Sequence, residues 1–364
     1  MGAYDVAVIG AGPAGSTAAY RLATAGARVL LLDKATFPRD KPCGGGVTLR
    51  AARLLPFSIE PVVEDVIDRL ECRLAFGARF TRRARAPLAY MTQRRRLDHF
   101  LLEQAAAAGA DVRQGVTVDA RELDASIVIG ADGCNGTSAK QLGLGGDVVH
   151  GVALEANFPR DPRYARTMVL EMAVVPGGYG WIFPKADHVN VGVGGWGSEG
   201  PRLRAHLRRM CEAYAIDPGS ATETRGYRLP MRRPHSVLAR GTTAVIGDAA
   251  GLVDPFSGDG MYEAFLSARL VTDAALDVLA GRAGSLEHYA AAVERRITPL
   301  TAAGWRAKRA FDRFPRATFA VARLPVTFRA VEKLLCGELS HPGAAKGLEK
   351  GAIRLIDAVS RAAT

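Results

Sequence analysis

The chain begins with an apolar strand pattern that leads straight into a glycine-rich turn. Residues 6–9 are continuously apolar, as in a strand buried within a parallel sheet, and residues 10–15 read Gly-Ala-Gly-Pro-Ala-Gly. An apolar stripe over residues 18–23 predicts a helix, and residues 28–32 predict the next strand. The start of the chain therefore predicts a strand, turn, helix and strand that close on Asp33.

The spacing of the glycines indicates what the turn can bind. Gly10 permits a tight turn, Gly12 lets backbone N–H groups approach a pyrophosphate, and Gly15 lets the helix pack closely on the strand. Asp33 lies about twenty residues further on, where a carboxylate can accept hydrogen bonds from an adenosine ribose. These features together predict dinucleotide binding, and the turn alone leaves FAD and NAD both open.

The remaining hydrophobic pattern separates two kinds of sheet. Helical periodicity predicts helices over 51–70, 94–109, 203–214 and 262–279, and apolar runs predict strands over 72–80, 88–91, 111–118, 126–129 and 243–246. Between 148 and 193 the pattern is a succession of strands at 152–158, 167–174, 180–183 and 189–194. Helical crossovers are missing from that region of the pattern, which indicates a separate antiparallel sheet.

The loop after Asp33 carries prolines and three consecutive glycines. Pro38 and Pro42 exclude regular helix or strand, and residues 43–46 read Cys-Gly-Gly-Gly. Such a backbone without side chains suits a flat ring lying against it, and a flexible hinge is the alternative.

Composition narrows the class of protein. With 48% hydrophobic and 23% charged residues, the 364-residue chain is ordinary for a globular protein of about two domains. It has neither the roughly 18 consecutive apolar residues of a membrane span nor a signal-peptide pattern, so we expect it in the cytoplasm. The five cysteines are odd in number and widely spaced, which argues against disulfides and metal clusters, and we predict no metal.

The net charge of +11 is concentrated in the tail. From residue 301 onward there are twelve Lys and Arg against five Asp and Glu. Aromatic and apolar residues are interleaved with them at Trp305, Phe311, Phe314, Phe319, Leu324 and Phe328. This pattern leaves open a peripheral contact with the inner membrane face and a plain helical cap with solvated arginines. Nucleic-acid binding is disfavoured because no recognised binding motif accompanies the charge.

Three motifs in this order resemble a known FAD-binding fold. They are the turn at residues 10–15, Asp132-Gly133 and Gly247-Asp248, and the fold is shared by aromatic hydroxylases, flavin halogenases and geranylgeranyl reductases. The Lys-x-Cys-Gly-Gly-Gly pattern at 41–46 and the Tyr-x-Trp-x-Phe-Pro pattern at 179–184 resemble the geranylgeranyl reductase family. Gly251 and Met261 stand where hydroxylases carry a histidine and an asparagine.

The resemblance implies an α/β fold built from three parts. We expect a discontinuous Rossmann-like FAD-binding domain over 1–68, 94–147 and 236–298, with an inserted antiparallel β-sheet substrate domain over 69–93 and 148–235. A C-terminal helical region covers 299–364.

The resemblance also implies which residues hold the cofactor. Asp33 is expected at the adenosine ribose, Arg94 near the pyrophosphate, and Asp248 at the ribityl phosphate. The full expected FAD set is Gly10, Gly12, Ala14, Gly15, Asp33, Lys34, Cys43, Gly44, Gly45, Arg94, Val118, Asp132, Gly247, Asp248, Gly258, Gly260 and Met261.

The chemistry implied by the resemblance is reduction of isolated C=C bonds in a polyprenyl chain. Reduced FAD would deliver hydride from N5, and an unactivated alkene then needs nearly concurrent protonation of its other carbon. Cys43 is the expected proton donor or orienter, since ordinary thiols are mostly protonated at neutral pH, or else a small packing residue beside the flavin. Tyr179, Trp181 and Phe183 alternate along one strand and so share a face. They form either a substrate wall, with Tyr179 and Trp181 also catalytic, or an aromatic core stripe.

Several alternatives stay open at this stage. The electron donor is NAD(P)H or a reduced ferredoxin, and the basic tail would suit an acidic ferredoxin. A monooxygenase or halogenase of the same fold, acting on an aromatic or carrier-bound substrate, is the alternative enzyme. A non-catalytic FAD-binding protein is the third possibility.

Overall fold

Within residues 3–362, which the computed structural model describes, the strands form three sheets. The strands are β1 (Tyr4–Ile9), β2 (Val29–Asp33), β3 (Gly46–Thr48), β4 (Asp65–Ile67), β5 (Arg69–Leu74), β6 (Arg79–Arg83), β7 (Ala89–Met91), β8 (Asp111–Gln114), β9 (Ala125–Gly130), β10 (Val148–Pro159), β11 (Thr167–Met172), β12 (Tyr179–Pro184), β13 (His188–Trp196), β14 (Thr222–Arg232), β15 (Ala239–Arg240) and β16 (Thr243–Val245).

The α-helices cover the sheets and then form the C-terminal region. They are α1 (Pro13–Thr24), α2 (Leu49–Ala52), α3 (Arg94–Ala107), α4 (Ser138–Gln141), α5 (Leu203–Ala213), α6 (Met261–Leu279), α7 (Glu287–Arg296), α8 (Thr298–Arg313), α9 (Pro315–Ala322), α10 (Pro325–Cys336) and α11 (Gly347–Arg361).

The first sheet is the nucleotide-binding sheet predicted from the start of the chain. Its order is β15-β16-β9-β1-β2-β8, and every pair except β15 with β16 is parallel. The apolar run in β1 is fully buried because α1 and α6 cover the sheet, together forming the largest hydrophobic core. The predicted strand, turn, helix and strand are confirmed, and the predicted helix over 262–279 is α6.

The second sheet contains the predicted succession of antiparallel strands. Its order is β14-β10-β13-β12-β11-β5-β6, and α5 packs on one face through Leu207 and Met210. Two features differ from the expectation. The strand predicted over 72–80 is a hairpin of β5 and β6, and β5 pairs with β11 in parallel. The sheet is therefore mixed, because a distant segment of chain adds to its edge.

The helix predicted over 51–70 is wrong. The structure has only the short α2 there, followed by irregular chain, a 3-10 turn at Glu60–Val62 and β4. Pro56 and Pro61 interrupt the segment, since proline lacks the N–H that an interior helical position must donate. Instead β4 joins β3 and β7 in the third sheet, of three strands.

The C-terminal helices pack against the second sheet and against the chain beside the third sheet. Pro315 and Pro325 each stand at the first position of a helix, α9 and α10, where the missing N–H costs nothing. Phe328 on α10 is buried against Leu70 and Leu88, so this region belongs to the core. Across the described part of the chain, no helix combines the length and the apolarity needed to cross a bilayer.

Tyr289 links α7 to the strand before the Gly247-Asp248 turn, and this link gives a stability prediction. Its fully buried hydroxyl donates to the carbonyl oxygen of Val245 at 2.9 Å. We expect Tyr289→Phe to lower the free energy of unfolding by about 1–2 kcal/mol, because a buried acceptor loses its partner. Chemical denaturation measures this change. Tyr20→Phe is the control, since among the described residues the Tyr20 hydroxyl makes no hydrogen bond; equal effects of the two variants would contradict the prediction.

Candidate active site

One cavity of about 770 Å³ lies at the carboxyl edge of the first sheet and faces the second sheet. Most of the sequence-predicted residues lie on its wall: Gly10, Gly12, Ala14, Asp33, Lys34, Cys43, Gly44, Gly45, Arg94, Asp132, Asp248, Gly258, Gly260 and Met261, with Tyr179, Trp181 and Phe183. Gly15, Val118 and Gly247 lie outside the wall. Val118 packs beside Leu30 and Leu32 on the sheet. The structure thus brings together residues from chain segments more than 200 positions apart.

The glycine turn leaves space where a dinucleotide backbone would lie. Gly10 has φ +102°, which disfavours a side chain, and a Cβ on Gly15 would overlap the carbonyl oxygen of Gly10. The space in front of Gly12 is open, since the nearest atom to a Cβ there is Nη2 of Arg39 at 3.6 Å. Gly12 also caps α1 without a side chain, which leaves first-turn N–H groups facing the cavity.

Asp33 and Asp132 are both held by backbone donors. Asp33 accepts from the N–H of Ala11 at 2.7 Å, which ties the end of β2 to the glycine turn. Asp132 accepts from the N–H groups of Thr137 and Ser138, at 2.8 and 2.9 Å. The Asp132 carboxylate therefore fixes the loop that follows it. Asp132, Gly133 and Asn135 of this loop line the cavity.

A buried cluster of one carboxylate and two guanidinium groups lies beside the turn. Asp98 is fully buried and accepts from Nε and Nη2 of Arg94 at 2.6 and 2.7 Å. Arg39 Nη1 lies 3.1 Å from the same carboxylate. Burial opposes the Arg94 charge, but Asp98 raises its pKa above the ordinary value. Both arginines line the cavity. Because Asp98 balances only one of them, the cluster carries one net positive charge, which fits an anionic phosphate group.

Lys41 and Asp248 join the loop after β2 to the turn after β16. Lys41 Nζ lies 3.0 Å from Asp248 Oδ2 and 4.6 Å from the centre of the Tyr227 ring. Burial opposes the Lys41 charge, whereas Asp248 raises its pKa so that it stays charged. The open glycine turn, the paired arginines and this ion pair together fit a dinucleotide such as FAD.

The backbone at 43–45 lies tightly between an aromatic wall and the third sheet. A Cβ on Gly44 would come within 2.7 Å of the Phe183 ring and 3.3 Å of Trp181 Nε1. A Cβ on Gly45, which has φ +72°, would overlap the carbonyl oxygen of Thr92. The glycines are thus required by close packing, and the hinge interpretation does not account for them.

Two buried ionisable residues hold this loop from opposite sides. Glu155 Oε1 accepts from the N–H of Cys43 at 2.7 Å, and Lys185 Nζ donates to the carbonyl oxygen of Gly44 at 2.6 Å. Burial raises the pKa of Glu155 to about 7 and lowers that of Lys185 to about 8. The N–H of Gly45 donates to Cys43 Sγ at 3.3 Å, so the thiol has a fixed direction.

Tyr179, Trp181 and Phe183 form a continuous aromatic wall beside Cys43. Ring centres are 6.0 Å apart for the first pair and 6.1 Å for the second, and all three rings line the cavity. Trp181 Nε1 donates to Asn190 at 2.8 Å, and the Tyr179 hydroxyl donates to the carbonyl oxygen of Ser257. The predicted common face is confirmed, and it is the cavity side.

Sequence reasoning missed the ionisable residues around Cys43 and the part that the C-terminal helices play in the cavity wall. Arg39 and Lys41 lay within the loop already singled out, so their charge beside a phosphate site was a usable signal. Glu155 is a single charge in the middle of β10 and Lys185 directly follows β12, and only the folded sheet places them by Cys43. The C-terminal helices add apolar side chains to the wall, beside the charged Arg306, Lys308 and Asp357: Leu300, Ala303, Ala307, Ala330, Val331, Leu334, Leu335, Ile353 and Ile356.

Two family models match separate parts of the chain. Residues 5–60 match the FAD dependent oxidoreductase model, and residues 150–219 match the geranylgeranyl reductase catalytic domain. Menaquinone reductase of Mycolicibacterium smegmatis is 32% identical, covering 92% of this chain and 91% of its own. Geranylgeranyl diphosphate reductase of Synechocystis is 30% identical, covering 74% of each chain.

Solved structures show the same fold. A geranylgeranyl bacteriochlorophyll reductase-like protein of Thermoplasma acidophilum superposes with a TM-score of 0.75 at 22% identity, over 96% of this chain and 95% of that one. A flavin-dependent brominase superposes with a TM-score of 0.77 at 18% identity, over 96% and 98%. At such identities these likenesses concern the fold.

The open space at Gly12 gives a prediction about cofactor retention. We expect Gly12→Val to fold but to lower FAD affinity at least tenfold, since overlap with a pyrophosphate costs more than about 1.4 kcal/mol. Flavin absorbance per protein and titration of the apoprotein measure the change. Gly200→Ala is the control, because a Cβ there meets nothing within 4 Å. Unchanged flavin content in Gly12→Val would place the cofactor elsewhere.

Glu155 gives a prediction about pH. Its folded-state pKa of about 7 lies above its ordinary 4.5, so the unfolded chain ionises first as pH rises. Between about pH 4.5 and 7, the unfolding free energy of wild type should therefore fall by about 3 kcal/mol relative to that of Glu155→Gln. Above pH 7 this difference should change little. Denaturation series at several pH values measure this difference. Glu103→Gln, at an exposed site on α3, should show no such difference; parallel curves for wild type and Glu155→Gln would refute the raised pKa.

Proposed function

We propose that this chain, which belongs to the geranylgeranyl reductase family of FAD-dependent oxidoreductases, saturates isolated C=C bonds of a polyprenyl chain. The observation that carries the proposal is a cavity whose wall joins the glycine turn and its neighbouring charged residues to mostly apolar residues of the second sheet and the C-terminal helices. A polyprenyl chain has no polar group along its length, so an apolar channel leading to a flavin site matches it.

The apolar end of the cavity is built from two parts of the structure. Leu70, Met168 and Leu170 contribute from the second sheet, and Leu334 and Ile353 contribute from α10 and α11. Phe183 of the aromatic wall packs beside Met168 and Leu170 of this lining and also against Gly44, the neighbour of Cys43. A chain entering through the apolar part would therefore present its double bonds at Cys43.

The chemistry requires a hydride on one alkene carbon and a proton on the other. Bound FAD, once reduced, supplies the hydride. The proton comes from the Cys43 thiol, whose S–H bond breaks as the new C–H bond forms and whose thiolate is reprotonated afterwards. The Gly45 N–H directed at Cys43 Sγ stabilises negative charge on sulfur during that step.

Glu155 is the proposed source of the returning proton. Its carboxyl is buried on the cavity wall, and it accepts from the N–H of Cys43. A group with a pKa of about 7 is partly protonated at neutral pH and can give its proton to a thiolate. Lys185 holds Gly44 from the other side, so the thiol keeps its position while its charge changes.

Tyr179, Trp181 and Phe183 are proposed to hold the alkene. Their rings form an extended apolar surface, and ring faces stabilise positive charge that develops when protonation runs ahead of hydride delivery. Trp181 is anchored through Asn190, which fixes the plane of its ring. The wall thus excludes water and orients the double bond.

Turnover needs an electron donor that reduces the bound FAD. We propose NAD(P)H or a reduced ferredoxin as this donor. The sequence has no second nucleotide-binding fingerprint, which fits either a transient contact with NAD(P)H or electrons from a ferredoxin. The fold shared with a flavin-dependent brominase supports the monooxygenase or halogenase alternative. That alternative requires oxygen, which separates it from a reductase by experiment.

An anaerobic turnover experiment tests the proposal. The flavin of the purified holoenzyme is reduced, a panel of polyprenyl diphosphates, quinones and lipids is added, and flavin reoxidation is followed while products are weighed by mass spectrometry. We expect reoxidation without oxygen and one added H₂ for each bond reduced. Reduced flavin that persists until air is admitted, with oxygen or halogen then appearing in product, would establish the alternative.

Variants test the assigned residues in the same assay. We expect Cys43→Ala to slow alkene reduction by a factor of about 10² or more, with FAD still bound, because it removes the general acid. Cys211→Ala is the control, a thiol buried between α5 and the second sheet and outside the cavity wall. Full activity in both Cys43→Ala and Trp181→Ala would favour a non-catalytic FAD-binding protein.

A further inference from the structure

The last helix of the structure, α11, exposes apolar side chains to solvent. Leu348 is 84% exposed and Leu355 is 47% exposed. Gly351 is exposed between them, and the spacing of three and seven residues places all three on one side of the helix. We call Leu348, Gly351 and Leu355 the outer face of α11. Among the large hydrophobic residues that are exposed in the described structure, none is as exposed as Leu348.

The charges of α11 are divided between its two sides. Its acidic residues point inward, since Glu349 pairs with Lys333 of α10 at 2.6 Å and Asp357 pairs with Arg306 of α8 at 2.8 Å. Lys350 and Arg354 are exposed four residues apart along one edge of the outer face, and neither takes part in an ion pair among residues 3–362. The outer face is therefore apolar with a basic border and no acid of its own helix.

The opposite side of α11 is part of the cavity wall. Ile353 and Ile356 line the cavity, as does the Arg306–Asp357 ion pair. Val331 of α10 also lines the cavity and is 37% exposed, so the apolar lining reaches the surface beside α11. One helix thus separates the apolar channel from an apolar, basic-bordered surface.

We propose that the outer face of α11 docks on an anionic lipid bilayer. Leu348 and Leu355 enter the boundary between headgroups and acyl chains, while Lys350 and Arg354 contact anionic headgroups. The helix lies in the plane of the surface, as an amphipathic helix does. This orientation turns the exposed side of α10 at Val331 toward the lipid.

The charge pattern favours a bilayer over the other occupants. A second copy of the chain docked on the same face would bring Lys350 and Arg354 of both copies together without acids between them. An acidic protein would pair with Lys350 and Arg354, but the acyl layer of a bilayer buries Leu348 and Leu355 better than an acidic surface does. The aromatic residues named from the sequence do not form this surface, because Trp305 stacks on Trp196 and Phe311 stacks on Phe256.

The docking face stands on the geometry of α11 alone, whereas its use as a route for substrate rests on the proposed prenyl reductase function. A polyprenyl chain partitions into lipid, so a channel wall that lies on the membrane would receive it without passage through water. Vesicle binding without substrate tests the face, and activity on detergent-dispersed substrate tests the function, so either can fail alone.

The experiment is cosedimentation of the FAD-loaded protein with phosphatidylcholine vesicles, with and without phosphatidylglycerol. We expect binding that requires phosphatidylglycerol and weakens at high salt. Leu348→Gln/Leu355→Gln should lower the affinity at least about tenfold, because two leucines no longer enter the bilayer. Lys350→Gln/Arg354→Gln should lower it by roughly fivefold for each charge removed.

Val116→Gln/Leu279→Gln is the matched control, two exposed apolar residues away from α11. It should bind vesicles as wild type does, and all variants should keep wild-type activity on detergent-dispersed substrate. The proposal is overturned if wild type ignores anionic vesicles, or if the double leucine variant binds like the control. It is also overturned if sedimentation velocity shows a wild-type dimer that the leucine variant dissociates, since a second copy then covers the face.

Discussion

The parallel register of the first sheet holds the cofactor end of the cavity together. Ile9 stands level with Leu32 on one side and Gly130 on the other, and Gly130 stands level with Val245. All four strands therefore stop at one edge, and the residues that follow them meet there. The glycine turn, Asp33, Asp132 and Asp248 are neighbours for this reason, although the chain between β2 and β16 contains the whole second sheet. A register shift in any one strand would remove its residue from the site.

Around Cys43 the loop is held by buried charges, because its backbone has almost no side chains with which to pack. Glu155 and Lys185 each bind one backbone group of the loop, and their opposite pKa shifts have the same cause, burial. A buried charge is costly unless it is paired or hydrogen-bonded. Glu155 and Lys185 therefore lower the stability of the fold while they fix the position of the loop. The same burial gives Glu155 a pKa suited to proton transfer near neutral pH.

The sequence was most informative where local structure decides the outcome. The glycine turn, α3 and α6 follow from turn chemistry and helical periodicity, and the alternation of Tyr179, Trp181 and Phe183 fixes a common face. The failure at 51–70 was also local, because Pro56 and Pro61 contradict a helix that the apolar residues there favour. The roles of Glu155 and Lys185 depend on contacts across more than 100 residues, and no pattern within either strand carries them.

The C-terminal region shows why composition alone misleads about surfaces. Its mixture of arginine and aromatic residues resembles an interfacial helix, yet Lys308 lies 4.1 Å from the centre of the Trp196 ring and Trp305 stacks on that same ring. These aromatics tie α8 to the end of β13, while Leu300, Ala303 and Ala307 of the same helix line the cavity. The apolar side chains that α8, α10 and α11 add to the cavity wall thus come from a part of the chain far from the loop around Cys43.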